Sequence, residues 1–304
     1  MPTNLPRETP NSQEPARVPP ASATGDRLIS TQIDLPSGKT SFVEAGQGFP
    51  LVLVHGLLGY SFSWRKNIPA LAREFRVLAP DLAGCGHSVF LRDGAHCVER
   101  WSKQLEEFLD ALGVGQAHLV ATSAGAAVAV DFAARRPERV AKMVLDAPVN
   151  PFSRRVVFLK RAYAASGMPV PLMNALVRWT PHLLPWIFRH RFYHDPSRIT
   201  AETIPGYLEG LRVETSVPML RQSIRDWNPA RMASQLSEVK APVLLLWGEK
   251  DKLVPISCLS RLALALPNST VEIIPRAGHL VYEELPEVFN ELVIRFLRKP
   301  PETR

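Results

Sequence analysis

The chain has 304 residues, 46% of them hydrophobic, and a net charge of +7, which is enough sequence for one large core with a smaller accessory domain. No uncharged apolar run approaches the ~20 residues of a membrane-spanning helix, and the amino terminus lacks a signal peptide's apolar centre. The three cysteines, Cys85, Cys97 and Cys258, are too few and too far apart for a disulfide framework or a zinc site, so a cytoplasmic location is expected.

Residues 1–27 are predicted to form a disordered leader. They contain six prolines among many polar residues and almost no large apolar ones. Such a segment buries too little surface to offset the entropy lost on ordering. The folded part of the chain is therefore expected to begin at about residue 28.

The first elements after the leader are strand-like. Ile29–Leu35 and Thr40–Glu44 are joined by a Pro-Ser-Gly turn signal and predict a β-hairpin. Leu51–Val54 is a continuous apolar run, typical of a strand buried on both faces. The apolar spacing in Trp64–Phe75 predicts a helix, and Val77–Ala79 predicts another short strand.

A glycine-containing loop, His55 to Gly59, directly follows the Leu51–Val54 strand. Its glycines allow backbone N–H groups to face open space, which an oxyanion hole requires. His55 is expected to orient this loop by hydrogen bonds rather than to take part in catalysis. A second loop punctuated by glycine, Asp81 to Ser88, follows the next strand.

The stretch Leu119 to Ala126 predicts a buried strand that ends in a sharp turn with Ser123 at its apex. Ala117–Ala121 has the apolar character of a parallel strand, and the alanine-rich run Ala124–Ala134 predicts a helix that Pro137 stops. A serine in this position points its hydroxyl out of the sheet, with the helix dipole and free N–H groups behind it. On this stretch alone, a serine that only caps the helix stays an alternative.

Strands and helices alternate through most of the chain. Val140–Leu145 predicts a strand that ends in Asp146, and strands return at Val243–Trp247 and Val271–Pro275. This alternation predicts the α/β class, with a doubly wound and mostly parallel sheet covered by helices on both faces. Ligands of such sheets bind at the carboxyl ends of the strands, so the loops that follow the strands are the candidate site.

The core is predicted in two parts, residues 28–148 and 241–304, and residues 149–240 are predicted to form an inserted helical cap. Strand-like runs vanish from this insertion, and prolines separate its helical pieces. The helical patterns lie at Arg155–Ser166, Pro171–Trp179 and Ala201–Val213.

The predicted cap carries thirteen Lys or Arg residues against six Asp or Glu, so it accounts for the whole net charge of the chain. These basic residues are dispersed and match no nucleic-acid-binding module, so no nucleic-acid partner is expected. Their role stays open between binding an acidic substrate, lying near anionic lipid and simple solvation. Stable membrane insertion is not expected, and the oligomeric state does not follow from the sequence.

Several features resemble those of a known family in their order and spacing. They are His55-Gly56, the loop Asp81 to Ser88, Ser123 in its turn, and then Asp251 and His279 on successive strand-end loops. Over about residues 29–299 the chain resembles an α/β-hydrolase with a helical cap. The family's serine turn has glycine two residues before and two after the serine. Here Ala121 replaces the first glycine and Gly125 keeps the second.

The resemblance implies a catalytic triad in the family's chain order. Ser123 is expected to be the nucleophile, His279 the base that takes its proton, and Asp251 the carboxylate that fixes the imidazole. The backbone N–H groups of Leu57 and Ala124 are expected to form the oxyanion hole.

Asp146 also follows a strand and is an alternative to Asp251 as the carboxylate of the triad. Asp251 is favoured because Trp247 to Pro255 has the usual form of the family's acid loop. Glu249 lies in the same loop and is expected to be solvated.

Neither a metal nor a cofactor is expected. His190 and His194 have the i, i+4 spacing of a metal pair, but nothing beyond Asp195 supplies a convincing further ligand. No glycine-rich phosphate loop or dinucleotide fingerprint occurs in the sequence. A small-molecule substrate is the expected partner.

The implied function is that of a serine hydrolase acting on a carboxylic ester of a fairly apolar small molecule through an acyl-serine. Dehalogenases and epoxide hydrolases of this fold have aspartate at the apex of the turn, and Ser123 argues against both activities. C–C bond hydrolysis, amide hydrolysis and cofactor-free perhydrolysis use the same triad and stay open. So does a non-catalytic binding or accessory role for the pocket.

Overall fold

The structure, a computed structural model, describes residues 30–89, 96–167, 169, 172, 175, 180–211 and 213–300. The predicted leader, and most of the predicted helix Pro171–Trp179, lie outside the described residues. The eight strands of the sheet are β1 (Ser30–Leu35), β2 (Gly38–Ala45), β3 (Pro50–Val54), β4 (Arg76–Pro80), β5 (Ala117–Thr122), β6 (Val140–Asp146), β7 (Val243–Gly248) and β8 (Ser269–Ile274).

The strand order in the sheet is β1-β2-β4-β3-β5-β6-β7-β8. The first hairpin, β1 with β2, is antiparallel, and β2 also pairs antiparallel with β4. Every other pairing is parallel, for example Leu51 opposite His118 between β3 and β5. The strands from β3 to β8 therefore end at one edge of the sheet, and the predicted α/β class with a mostly parallel sheet is confirmed.

Helices cover both faces of the sheet. In β3, Val52 and Val54 face one apolar cluster while Leu51 and Leu53 face another, which is why the strand reads as a continuous apolar run. In the described part of the chain the α-helices are α1 (Ile68–Leu71), α2 (Val98–Ala111), α3 (Ala124–Arg135), α4 (Arg154–Ala165), α5 (Thr180–Ile187), α6 (Thr203–Glu209), α7 (Val213–Asp226), α8 (Pro229–Leu236), α9 (Leu259–Ala265), α10 (Val281–Glu284) and α11 (Pro286–Arg298).

Between β6 and β7 the described residues form helices α4 to α8. The π-helical turn Phe188–Phe192 follows α5 directly. The predicted helix Ala201–Val213 is instead two helices, α6 and α7, which are separated at Gly210. Among the described residues, no helix has the length and the apolar character needed to cross a bilayer.

The predicted helix Trp64–Phe75 is broken into the 3-10 turn Ser61–Trp64 and the single turn α1. Pro69 has no N–H to donate to the carbonyl four residues earlier, so a continuous helix would lose a hydrogen bond there. The Asn67 side chain is buried at the break, where it donates to the Tyr282 carbonyl oxygen at 3.1 Å. This contact with a distant segment stabilises the break.

Candidate active site

Ser123 lies between β5 and α3 in a backbone conformation that L-residues seldom adopt. Its φ is 50° and its ψ is −118°. Its N–H donates to the Asp146 carbonyl oxygen at 2.9 Å, and its carbonyl oxygen accepts from the Val149 N–H at 3.0 Å. The neighbouring strand β6 and the chain that leaves it therefore stabilise the strained turn. This is the sharp strand-to-helix turn expected at Ser123.

The close passage of strand and helix depends on Gly125. A Cβ atom added there would lie 2.3 Å from the His55 carbonyl oxygen and 2.6 Å from that of Val54. Ala121 is fully buried in β5, and its methyl group packs within the apolar core. The chain thus keeps glycine after the serine, where backbone oxygens leave no room, and accommodates alanine before it.

We expect Gly125→Ala to lower the free energy of unfolding by about 1–3 kcal/mol, because backbone must move to admit the methyl group. The matched control is Gly115→Ala, since no atom lies within 4 Å of a Cβ added at Gly115. That substitution should be neutral or stabilise by about 0.4–1 kcal/mol. Chemical denaturation measures both variants, and equal stabilities would contradict the steric argument.

The structure brings Ser123, His279 and Asp251 into one hydrogen-bonded chain. His279 Nε2 lies 3.1 Å from Ser123 Oγ, and His279 Nδ1 lies 2.8 Å from Asp251 Oδ2. Both the imidazole and the carboxylate are buried. The second oxygen of Asp251, Oδ1, accepts from the N–H groups of Leu253 and Val254 at 2.7 and 2.9 Å. The carboxylate is thereby fixed in direction, and an imidazole in this chain can accept the serine proton.

The environment of His279 favours its charged form. Burial disfavours the imidazolium, but the charge and hydrogen bond of Asp251, with a contribution from Asp146, outweigh it and raise the pKa of His279. A base with a raised pKa holds a proton more strongly after taking it from the serine. The same interaction stabilises the imidazolium that forms during attack.

Asp146, the competing acid, is fully buried at the end of β6. Its Oδ2 accepts from Thr122 Oγ1 at 3.2 Å, while its Oδ1 has no hydrogen-bond partner among the described residues. Burial, which outweighs the charge of His279 and the Thr122 hydrogen bond, raises the pKa of Asp146 to about 8. Asp251, and not Asp146, makes the hydrogen bond to the imidazole.

The two residues predicted to supply the oxyanion donors, Leu57 and Ala124, line the cavity beside Ser123. Ala124 is the first residue of α3, so its N–H has no partner within the helix. Leu57 follows Gly56, whose carbonyl oxygen accepts from the Gly59 N–H at 3.0 Å, and both residues line the cavity. A turn of this kind leaves N–H groups available to an anion.

His55 supports the same loop. Its Nδ1 lies 2.8 Å from the Gly56 carbonyl oxygen, and its Nε2 accepts from the Leu82 N–H at 2.9 Å. The ring is therefore neutral with its proton on Nδ1, and burial lowers its pKa. The contacts match the orienting role expected of His55.

A feature that the sequence analysis missed is the buried carboxylate of Glu284. It accepts from the Gly278 N–H at 2.7 Å and from the N–H groups of His194 and Asp195 at 3.0 and 2.7 Å. The His279 N–H itself donates to the Phe192 carbonyl oxygen at 2.7 Å. The segment that follows α5 thus fixes the loop that carries His279. Two adjacent glutamates give no sequence signal for such a role.

A cavity of about 550 Å³ lies over Ser123 and His279. Its walls come from the sheet edge and from the helices between β6 and β7, and most of its lining side chains are apolar. Examples are Trp101, Val149, Val156, Leu184, Phe188, Phe192, Trp227 and Leu280. Among the described residues that line it, Lys160 is the one Lys, Arg, Asp or Glu. The cavity suits an uncharged, largely apolar ligand.

His194 and Asp195, which the sequence analysis considered as possible metal ligands, make other contacts in the structure. The His194 N–H donates to Glu284, and Asp195 Oδ1 accepts from the Ser197 N–H at 3.0 Å, capping the short turn that follows it. In the part of the chain that the structure describes, no group of three or more His, Cys, Asp or Glu residues is arranged to hold a metal ion.

A family model described as the alpha/beta hydrolase fold matches residues 50–168 and 182–286. The hydrolase YugF of Bacillus subtilis is 32% identical over 251 residues, which cover 82% of this chain and 89% of that protein. A 2-hydroxy-6-oxononadienedioate/2-hydroxy-6-oxononatrienedioate hydrolase of Burkholderia vietnamiensis is 31% identical over 261 residues, which cover 82% of this chain and 87% of that protein.

Solved structures are similar over nearly their whole length. A thermophilic esterase from Thermogutta terrifontis superposes with a TM-score of 0.74 and 25% sequence identity, covering 89% of this chain and 98% of that one. The similar proteins thus include both an esterase and a hydrolase of dienoate-type compounds.

Proposed function

The chain belongs to the α/β-hydrolase family, and we propose that it is a serine hydrolase that cleaves a carboxylic ester of a fairly apolar small molecule. The observation that carries the proposal is the hydrogen-bonded chain of Ser123, His279 and Asp251 at the base of an apolar cavity. In this proposal residues 149–240 act as the cap that closes the cavity.

The geometry supports a two-step acyl transfer. Ser123 Oγ attacks the ester carbonyl carbon while His279 Nε2 takes the hydroxyl proton. The oxyanion that forms accepts hydrogen bonds from the N–H groups of Leu57 and Ala124. The imidazolium then returns the proton to the leaving alkoxide as the C–O bond breaks. A water molecule then attacks the acyl carbon while His279 takes one of its protons. The bond from that carbon to Ser123 Oγ breaks, the imidazolium gives the proton to Oγ, and the carboxylic acid leaves. Asp251 stabilises the imidazolium in both steps.

A second candidate is the hydrolysis of a C–C bond, because proteins named as dienoate hydrolases are among the relatives. A dienoate carries a carboxylate, which needs a cationic partner when it leaves water. Lys160 is the one side chain in the described cavity lining that could supply this charge. Apart from Lys160 the described lining is largely apolar, which suits a neutral ester better than a carboxylate, and on this ground we favour the ester.

The test is covalent labelling with a fluorophosphonate, followed by intact mass. The native chain should gain one adduct, and Ser123→Ala should gain none, because only a serine activated by its base reacts rapidly. Ser237→Ala, at an exposed serine whose hydroxyl donates to the Ser234 carbonyl oxygen, is the matched control and should label like the native chain. Absence of an adduct on the folded native chain would favour a non-catalytic binding role.

A substrate panel separates the two reactions. We expect turnover of p-nitrophenyl esters that rises as the acyl chain lengthens to fill the cavity, and little turnover of a 2-hydroxy-6-oxo-dienoate. Turnover of the dienoate without turnover of the esters would replace ester cleavage by C–C bond hydrolysis.

A further inference from the structure

Positive charge is concentrated in one part of the chain. Between Asp146 and Asp195 the sequence has seven Lys or Arg residues and no Asp or Glu. The formal charge of this stretch, +7, is equal to the net charge of the whole chain. In the structure the stretch contains α4, α5 and the π-helical turn Phe188–Phe192.

The same helices expose large apolar side chains to solvent. On α4, Phe158 is 66% exposed and Leu159 is 52% exposed. On α5, Leu183 is 45% exposed and Trp186 is 52% exposed. Single exposed apolar residues are ordinary, but a group of them on two helices that line the same cavity marks an interaction surface.

Arginines flank these apolar side chains on α4 and in the π-helical turn that follows α5. Arg154 and Arg161 lie four residues before and three residues after Phe158, so the three side chains share one face of α4. The Arg191 guanidinium lies 6.0 Å from the centre of the Trp186 ring. All three arginines are exposed. We call this set, Arg154, Phe158, Leu159, Arg161, Leu183, Trp186, Arg189 and Arg191, the basic-apolar surface.

The basic-apolar surface is continuous with the cavity over Ser123. Leu159 is half-exposed and also lines the cavity. Leu184 and Ile187 line the cavity from α5, next to the exposed Leu183 and Trp186. The helices that carry the surface therefore also line the cavity.

We propose that the basic-apolar surface docks the protein on an anionic lipid bilayer. The apolar side chains enter the boundary between headgroups and acyl chains, and the arginines pair with lipid phosphates. Nucleic acid would match the arginines but leave Phe158, Leu183 and Trp186 in water. Docking in this orientation brings the helices that line the cavity against the bilayer, where an apolar substrate dissolves. The docking itself does not depend on the proposed hydrolysis.

The test is co-sedimentation with vesicles of phosphatidylcholine, with and without phosphatidylglycerol. The native chain and Ser123→Ala should bind the anionic vesicles equally, bind pure phosphatidylcholine weakly, and lose affinity as salt rises. Arg154→Glu with Arg161→Glu should weaken binding by at least about tenfold, because two favourable charges become two unfavourable ones. Trp186→Ser should also weaken binding, by about tenfold, through its lost apolar contact.

The matched control reverses two exposed cations at the opposite edge of the sheet. Arg73 precedes β4 and Lys240 precedes β7, so both lie at the amino ends of parallel strands. Arg73→Glu with Lys240→Glu changes the net charge by the same amount and should bind vesicles like the native chain. Thermal unfolding of each variant verifies that all of them are folded.

Three outcomes would overturn the proposal. The first is native protein that binds neither kind of vesicle. The second is equal loss of binding in the control and in the Arg154/Arg161 variant, which would reflect net charge alone. The third is binding to double-stranded DNA that is as tight as binding to vesicles and is unchanged by Trp186→Ser, which would make the surface a general polyanion site.

Discussion

Replacing Ser123 by alanine is expected to lower kcat for ester hydrolysis by about a millionfold, the cost of removing a serine nucleophile from a triad. The loss is large because no other hydroxyl lies against His279 Nε2 among the described contacts. The fold should survive, since the hydrogen bonds that stabilise the turn at residue 123 come from its backbone. Steady-state kinetics measures the loss, and circular dichroism verifies folding.

His279→Ala should reduce kcat to a similar degree, and the double variant should be little worse than either single one. The serine and its base act as a unit, so removing the second after the first takes little more away. Losses that multiplied in the double variant would mean that the two side chains act in separate steps. Substantial activity in Ser123→Ala would remove Ser123 from the proposed mechanism.

The fold could be predicted because a parallel sheet covered on both faces has a clear sequence pattern. Each buried strand, such as Leu51–Val54 or Val243–Trp247, is a short apolar run, and polar site residues follow such runs directly. Right-handed crossovers then place the ends of the strands at one edge. The sequence positions of Ser123, Asp251 and His279 thus already implied their proximity.

Contacts between distant segments could not be predicted in this way. Glu284 joins the His279 loop to the segment after α5 through three backbone N–H groups, and nothing in its neighbourhood in the sequence signals that partner. The cavity likewise depends on how α4, α5 and α7 pack over the sheet edge. The break in the predicted helix Trp64–Phe75 has the same origin, since the buried Asn67 side chain bonds to residues more than two hundred positions away.

The choice of acid illustrates the limit well. Asp146 and Asp251 both follow buried strands, and in the sequence Asp251 was favoured only by the family-like form of its loop. In the structure they differ in environment: backbone N–H groups bind the Asp251 carboxylate, whereas Asp146 Oδ1 has no partner among the described residues. Asp146 accepts one hydrogen bond, from Thr122, and burial still raises its pKa to about 8, which favours its protonated form.

Asp251→Asn is therefore expected to lower kcat by about ten-thousandfold, since the amide cannot hold the imidazole in the right tautomer or stabilise its charge. The pKa of His279 should fall, because Asp251 provides the main interaction that raises it. A base acts when it is neutral, so the acidic limb of kcat/KM should move to lower pH. The pH–rate profile measures both effects.

Asp146→Asn is the matched comparison, with the same change at the competing carboxyl. It should alter kcat by no more than a few-fold and shift the acidic limb less than Asp251→Asn does, in the same direction. If Asp146→Asn abolished activity while Asp251→Asn retained it, the assignment of the acid would be wrong.

Stability provides an independent measure of Asp146. Its pKa rises from an ordinary 3.8 in the unfolded chain to about 8 in the folded one. Between those values the folded state keeps a proton that the unfolded state releases, so this carboxyl's stabilising contribution is full below the lower pKa and is lost as pH rises through the higher one. An amide does not titrate. The free energy of unfolding of Asp146→Asn should thus increase relative to that of the native chain as pH rises from about 4 to about 8, because only the native chain loses stability by this route. A difference between the two proteins that did not change with pH would mean that the buried carboxyl is charged in the folded state, as an acid paired with His279 would be.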